Sequence, residues 1–431
     1  CDDVHNPALW SIFEKESSLT VHYEEIDVVP DLALFPESYS NPDLIYGKPE
    51  EKVHAVFLLP HNPSQVVLDS AAVLGAVLGD YININSGYFK ATASAETVKK
   101  YGRSNIIVIG NHEFVKHLSG TGLQNSLNLD LYADDKNGRV FELQSPLNPK
   151  RRMLVITGKD DEAINIVKEN LKRPTRLIGL KGDSVVFSGV PLGPLQPAIK
   201  SEAVFAIRLK DLKMSDQIAR GKFYHSINFT IPNPFVGRIK DGAFLRLNMS
   251  HSELLLPQTS SLLIKVNGQA VKSIRLTPET ATRQDWDVLI PVVYLNSRFL
   301  IFELEVFMDI GDPDCMFNHP EMAWFTLHND TLLYLPIVAT TPVTLSNYPH
   351  IFLQWNRLEN LALLIDPEMF ETSMTTAVNI CAYLSHNLLT ADLLAPSIKT
   401  LDAVGEATLK DENIVAVAAV DRLMSDKNFG A

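Results

Sequence analysis

The spacing of apolar positions divides the chain into two kinds of segment. Four short runs, VHAVFLLP (53–60), NIIVIG (105–110), MLVITG (153–158) and LALLIDP (361–367), are apolar at nearly every position. Such a run is buried on both faces, which suits a parallel strand covered by helices. Stretches with helical spacing alternate with them: LLPHNPSQVVLDSAAVLGAVLG (58–79), DDEAINIVKENLKR (160–173) and LIDPEMFETSMTTAVNICAYLS (364–385). Strand–helix alternation over 50–195 predicts a parallel sheet with helices on its faces. The irregular stretch 119–150 interrupts it. A hairpin signal at Asp134–Gly138 marks that stretch as an excursion on the sheet's edge.

Residues 220–336 read differently. KFYHSINFTI (222–231), GAFLRLNMS (242–250), SSLLIKVNGQAV (260–271), DWDVLIPVVYL (285–295) and RFLIFELEVFMD (298–309) alternate apolar and polar positions, with no long helical period between them. Asn267–Gly268 is a strong two-residue hairpin signal, because both residues tolerate positive φ. The segment predicts an all-β sandwich of about 120 residues.

The pattern also repeats. CDDVHNPALW at 1–10 and CMFNHPEMAW at 315–324 place Cys, His and Trp alike. A strand-like run, a linker containing Pro, Asn and Ser, an apolar strand and a helix follow each. Ala71 meets Ala377, Leu74 meets Ile380, Ala76 meets Ala382, and NIIVIG meets NIVAVA (413–418), at a separation of 306 to 314 throughout. Matches in one order at a near-constant offset predict a tandem duplication. The expected organisation is the end of a first β-sandwich with its linker at 1–45, an α/β domain at 46–215, a second sandwich at 216–345 and a truncated second α/β domain at 346–431. On that expectation the chain is an interior slice of a longer protein.

Charge and composition narrow the function. The formal net charge of −13 disfavours nucleic acid and anionic membrane surfaces. The basic cluster Lys150, Arg151, Arg152 is too small to reverse that. Three cysteines, Cys1, Cys315 and Cys381, form neither a disulfide framework nor a metal set. No apolar run approaches the roughly 18 residues that cross a bilayer, and no signal peptide is evident.

Candidate chemistry is sparse. A nucleotide-binding sheet shows a glycine-rich turn after its first strand. Here that turn is Leu59-Pro60-His61-Asn62-Pro63-Ser64, with its counterpart Ile365-Asp366-Pro367-Glu368. GTGLQN (120–125) has Asn125 where a third glycine would stand. His112-Glu113 and His117 miss the metalloprotease spacing by one residue, which turns the second His off the ligand face. His5 and His319 each lack a nearby second ligand. No GxSxG occurs, and no carboxylate pair is marked by spacing. No catalytic residue, metal site or cofactor is expected. Sugar contact has candidates, since sugars stack their C–H faces on aromatic rings. Trp286 opens a sandwich strand and Trp355 lies in the second linker, with Tyr224, Phe235 and Tyr294 nearby in type. Most aromatics on sandwich strands are core, and Trp10 and Trp324 read as packing residues.

The whole layout resembles the BcsB-like accessory subunits of bacterial cellulose synthase. LRLNMSHSELLLPQTSSLLIKVNGQAVKSIRL (245–276), WDVLIPVVYL (286–295), DCMFNHPEMAWFTLHNDTLLYLP (314–336) and FSGVPLGP (187–194) carry the likeness, in order, over nearly the whole chain. The chain departs at Leu295-Asn296-Ser297-Arg298-Phe299, where that family usually has Gly-x-Asn. The resemblance implies flavodoxin-like α/β domains alternating with sandwiches (jelly rolls) similar to carbohydrate-binding modules. It further implies a non-catalytic subunit on the periplasmic or extracytoplasmic face, anchored by a C-terminal helix absent from this chain. Its partners would be a membrane-embedded glycosyltransferase and the emerging β-1,4-glucan, and a second copy is a further candidate. Such proteins act in a cyclic di-GMP-controlled, biofilm-forming pathway. The dinucleotide's residues lie in the catalytic subunit, and this acidic chain shows no Arg-rich loop for it. A polysaccharide-active hydrolase or transferase and a surface glycan-adhesion module are the rival readings.

Overall fold

The computed structural model describes residues 22, 24–40, 52–79, 81–82, 87–123, 127–132, 135–177, 179–189, 203–233, 235, 239–297, 299–311, 322–337, 348–349, 352–353, 357–358, 360–388, 393–404 and 412–425. The chain forms two compact units, one of residues 24–196 with 352–431 and the other of 1–23 with 197–351. The first is α/β and the second all-β.

In the α/β unit, β1 (Val53–Leu58) pairs in parallel with β2 (Tyr88–Thr92) and β3 (Asn105–Ile109), and β3 with β5 (Asn148–Thr157). Strand β4 (Gly138–Ser145) runs antiparallel between β5 and β6 (Ser184–Phe187), giving the order β2-β1-β3-β5-β4-β6. Every residue of β1 and β3 is buried. Helices α1 (Gln65–Gly79) and α4 (Asp161–Leu171) cover one face; α2 (Ala95–Lys99) and α3 (His112–His117) cover the other.

The stretch 119–150 is therefore not an excursion on the sheet's edge. It supplies β4, and the hairpin turn lies at 146–147 rather than at 134–138. Its strand pattern is masked by charge. Glu142 is fully buried in β4 and pairs with Arg152 of β5, while its Oε2 also accepts from the Asp31 N–H at 2.7 Å.

In the all-β unit the strands are β7 (Ala203–Arg208), β8 (Gln217–Arg220), β9 (Phe223–Pro232), β10 (Phe244–His251), β11 (Ser261–Val266), β12 (Gln269–Arg275), β13 (Gln284–Leu289), β14 (Phe299–Met308), β15 (Trp324–Leu327) and β16 (Leu332–Ile337). They form two antiparallel sheets. One runs β7-β16-β10-β15-β8 with β13 on β10; the other runs β12-β11-β14-β9. Strict alternation buries Leu245, Leu247 and Met249 of β10 with Leu300, Phe302, Leu304 and Val306 of β14 between the sheets. Asn267 and Gly268 turn β11 into β12 with φ of 50° and 76°, as their sequence predicts.

The α/β unit continues after the sandwich. β17 (Arg357–Leu358) pairs with β19 (Leu393–Leu394). β18 (Leu361–Ile365) lies between β20 (Ser397–Thr400) and β21 (Asn413–Val417), all parallel. Helix α5 (Phe370–His386) follows β18, and α6 (Val420–Ser425) follows β21.

Helices α1 and α5 pack closely enough that Gly75 and Gly79 have no room for a Cβ. At Gly79 an added Cβ would stand 2.2 Å from the Ala382 carbonyl oxygen. Each helix also seals the edge strand of the other's sheet. From α5, Asn379 accepts from Phe89 N–H (2.9 Å) and donates to Phe89 C=O (2.8 Å). Thr375 accepts from Ala91 N–H at 2.9 Å. From α1, Asp69 accepts from Ile398 N–H (3.2 Å) and Gln65 donates to Ile398 C=O (2.7 Å). Residues four apart share a helix face, so these side chains line up along the strand and take the place of a neighbouring strand.

Candidate functional site

The turns at the carboxyl ends of parallel strands are where α/β sheets hold anionic ligands. Here side chains fill them. Asn111 caps α3 by accepting from Phe114 N–H (2.9 Å), and Asp160 caps α4 by accepting from Ala163 N–H (3.1 Å). After β18, Asp366 accepts from Glu368 N–H at 3.0 Å. The turn after β1 carries Pro60 and Pro63, whose nitrogens cannot donate. Two carboxylates thus sit where a phosphate would go. His112 is buried at the start of α3, while His117 is exposed, with its Nδ1 3.0 Å from the Glu113 carbonyl. The two do not converge. Among the described residues no group of three or more His, Cys, Asp and Glu could hold a metal. Cys381 is buried, which drives its thiol far above the ordinary range. Cys1, His5, Trp10, Cys315, His319, Asn125 and Trp355 lie outside the described residues.

The outer face of the sheet β12-β11-β14-β9 offers more. Alternation sends Phe299, Ile301, Glu303, Glu305 and Phe307 of β14 outward, and Tyr224, Ser226, Asn228 and Thr230 of β9 with them. Register places Phe307 opposite Tyr224, Glu305 opposite Ser226, and Glu303 opposite Asn228. Directly opposed residues share a face. Tyr224 is 58% exposed and Phe307 37% exposed, so two rings lie open at one end of a polar row. Lys265 of β11 holds Glu305 at 2.6 Å, and that bond, with a second from Tyr224, lowers the Glu305 pKa. Partial desolvation, then the hydrogen bond to Glu305 and the charges of Glu305 and Glu303, push the Tyr224 phenol up to about 12. A flat face with rings at one end and fixed donors and acceptors along it can stack a pyranose and bond its hydroxyls.

Trp286 lies elsewhere. It opposes Leu247 across the β10–β13 pair, on the inner side of the sandwich at an edge strand. Its side chain is half-buried and its indole N–H has no hydrogen-bond partner. Of the other aromatics, Phe235 is core, packed on Phe205. Tyr294 sits in the short 3-10 turn Val292–Leu295, which ends the predicted strand early. Phe307 and Glu305 are not singled out by any sequence motif. The alternation of FELEVFMD marks them as sharing a face, but only the partner sheet decides which face is outward.

Comparison with known proteins places this architecture. The family model for the first CBM domain of cellulose synthase BcsB matches residues 204–338, and the model for its first FD domain matches residues 31–185. The chain belongs to the cellulose synthase BcsB family. A curated BcsB-family relative, the cyclic di-GMP-binding protein of Pseudomonas fluorescens (strain SBW25), is 22% identical over 288 residues, 64% of this chain and 35% of that protein. The chain thus spans about a third of that relative's length. Among solved structures, the tandem CBM51 modules of the family 98 glycoside hydrolase from Streptococcus pneumoniae SP3-BS71 are 14% identical, covering 30% of this chain and 33% of theirs, with a TM-score of 0.20. The VP2 subviral particle of infectious bursal disease virus is 13% identical, covering 40% and 46%, with a TM-score of 0.22. Similarities that weak carry no argument. The BcsB family models agree with a carbohydrate-binding-module-like domain in a mixed α/β and β chain. No helix among the described residues is long and apolar enough to cross a membrane.

Proposed function

We propose that this chain is the glucan-handling part of an extracytoplasmic subunit of bacterial cellulose synthase that is non-catalytic in making the glucan. It would assist a membrane-embedded glycosyltransferase by receiving the emerging β-1,4-glucan. The observation that carries this reading is the open aromatic and polar face of Tyr224, Phe307, Glu305, Glu303 and Asn228 on a domain matched by a cellulose synthase family model. Trp286, at the sandwich edge with its N–H unpartnered, is a second candidate contact, and Trp355 a third.

The α/β unit would be two flavodoxin-like domains that arose by duplication. The orders β2-β1-β3 and β20-β18-β21 correspond, with a helix after each central strand. The reciprocal sealing of β2 by α5 and of β20 by α1 supports that reading, since a duplicated pair related by a two-fold repeats its contacts in both directions. An extracytoplasmic location and membrane anchoring by a segment outside this chain follow from the same proposal.

Titration calorimetry with cellohexaose tests the function, alongside an assay for reducing ends. Binding without release of reducing ends is expected. Release over time would remove the non-catalytic reading in favour of a glycoside hydrolase, and absence of both would favour a plain surface module.

A further inference from the structure

The outer face of the other sandwich sheet carries a constellation that glucan reception does not use. Ser250 on β10, His328 after β15 and Asp216 before β8 form a continuous chain. Ser250 Oγ lies 2.9 Å from His328 Nε2, and His328 Nδ1 lies 2.9 Å from Asp216 Oδ2. The second carboxylate oxygen, Oδ1, accepts from Asn329 N–H at 2.8 Å, which fixes the plane of the carboxylate. Ser250 is partly exposed, and the His328 side chain is 13% exposed. A hydroxyl, an imidazole and a carboxylate in that order, each within hydrogen-bond reach of the next, are the parts of an activated serine nucleophile. The sequence hid them, because the residues lie 78 and 112 positions apart and no nucleophile elbow is involved.

We propose that Ser250, His328 and Asp216 form a hydrolytic triad that cleaves short-chain acyl esters of polyhydroxylated alcohols. Ser250 Oγ attacks the ester carbonyl carbon as His328 Nε2 takes its proton. Asp216 holds the imidazole Nδ1–H and stabilises the imidazolium. The tetrahedral adduct collapses, the ester C–O bond breaks, and His328 returns the proton to the departing alkoxide. Water then attacks the acyl carbon as His328 Nε2 takes its proton, the bond from that carbon to Ser250 Oγ breaks, and His328 returns the proton to Oγ as the carboxylic acid leaves.

Arg283 is the donor for the oxyanion. The β10–β13 register ends at Met249 opposite Gln284, and Arg283, the next residue, reaches β10 through its bond to Asn248, two residues before Ser250. Its guanidinium is held by Asn248 Oδ1 (2.9 Å) and Asp330 (2.5 Å). The alcohol side is polar: Asn248 is bonded to Asp285, and Lys210 to Asp330 at 2.8 Å. The acyl side has Thr326 opposite Ser250, then Ile218, 53% exposed, opposite Thr326. With Thr326 buried, Ile218 is the one exposed apolar side chain there among the described residues, a small surface that suits an acetyl group rather than a long chain.

The test uses the whole chain with a fluorophosphonate probe, located by peptide mass spectrometry, and with p-nitrophenyl acetate and p-nitrophenyl laurate. An adduct on Ser250 and preference for the acetate are expected. Ser250→Ala should remove the adduct and the hydrolysis. Asp216→Asn should lower kcat by about 10²–10⁴-fold with little change in KM and an altered pH profile. Far-UV circular dichroism and melting establish that each variant folds; should Asp216→Asn unfold, His328→Gln replaces it, with the same loss expected. An adduct on another serine, no adduct at all, or hydrolysis unchanged in Ser250→Ala would overturn the proposal. Neither result bears on cellohexaose binding, which is read on the opposite sheet.

Discussion

Replacing Gly79 with alanine tests the close approach of α1 and α5. On helix propensity alone the change stabilises, by up to about 1 kcal/mol in a helix interior and less at the last helical residue. The packing predicts the opposite sign. The new Cβ would lie 2.2 Å from the carbonyl oxygen of Ala382, within 2.6 Å of its Cα, and all three nearest atoms are backbone. Carbon contacts settle near 3.5–4.0 Å, so the helices must separate by roughly 1 Å, and no side-chain rotation can relieve the clash. Overpacking of this kind costs about 1–3 kcal/mol, and separation also stretches the bonds from Asn379 and Thr375 to β2. A net loss of about 2 kcal/mol follows, or about 1 M in the urea midpoint for a slope near 2 kcal/mol/M. Ellipticity at 222 nm reports this unit, since all the α-helices among the described residues lie in it. Gly102→Ala, where an added Cβ meets nothing within 4 Å, is the control. If Gly79→Ala matched the control, or raised the midpoint, the described helix packing would be wrong.

Asn379→Ala leaves the N–H and C=O of Phe89 without their partners, and two unpaired half-buried groups should cost about 2–4 kcal/mol by the same measurement. In the sandwich, Asn267 combines a φ of 50° with bonds to Tyr294 C=O and Ile301 N–H. Asn267→Ala should therefore destabilise this unit by about 2–3 kcal/mol, read by tryptophan fluorescence, whereas Asn267→Gly should cost less. Asp69 has its pKa raised, chiefly by burial, with Lys168, Gln65 and Ile398 opposing. A raised carboxyl contributes stability below its unfolded value of about 3.9 that is lost as pH rises through the higher folded value. Asp69→Asn should flatten the fall in stability over that window; an unchanged slope in urea midpoints against pH would contradict the assignment.

Much of the architecture could be read from periodicity. β1, β3 and β18 are buried at every position, as their unbroken apolar runs predict, and Asn267–Gly268 makes the turn its residues demand. What stayed hidden has physical causes. Strand β4 reads as irregular because it buries a charged pair, Glu142 with Arg152, where a strand pattern needs an apolar residue. Strands β8 and β15 have four residues each, too short for alternation to register. The candidate sites were the least legible part. Tyr224 and Phe307 become neighbours only through the β9–β14 register, and Ser250, His328 and Asp216 only through the folding of one sheet. Trp286, the residue type that most suggests sugar, lies on the inner side instead.

The account rests on glucan reception by the face around Tyr224, and depletion of the chain from solution by regenerated cellulose measures it most directly. The whole chain should be retained, and Tyr224→Ala combined with Phe307→Ala should reduce retention at least tenfold while leaving the fluorescence-monitored unfolding of the sandwich cooperative. Equal retention of wild type and double variant would contradict the account.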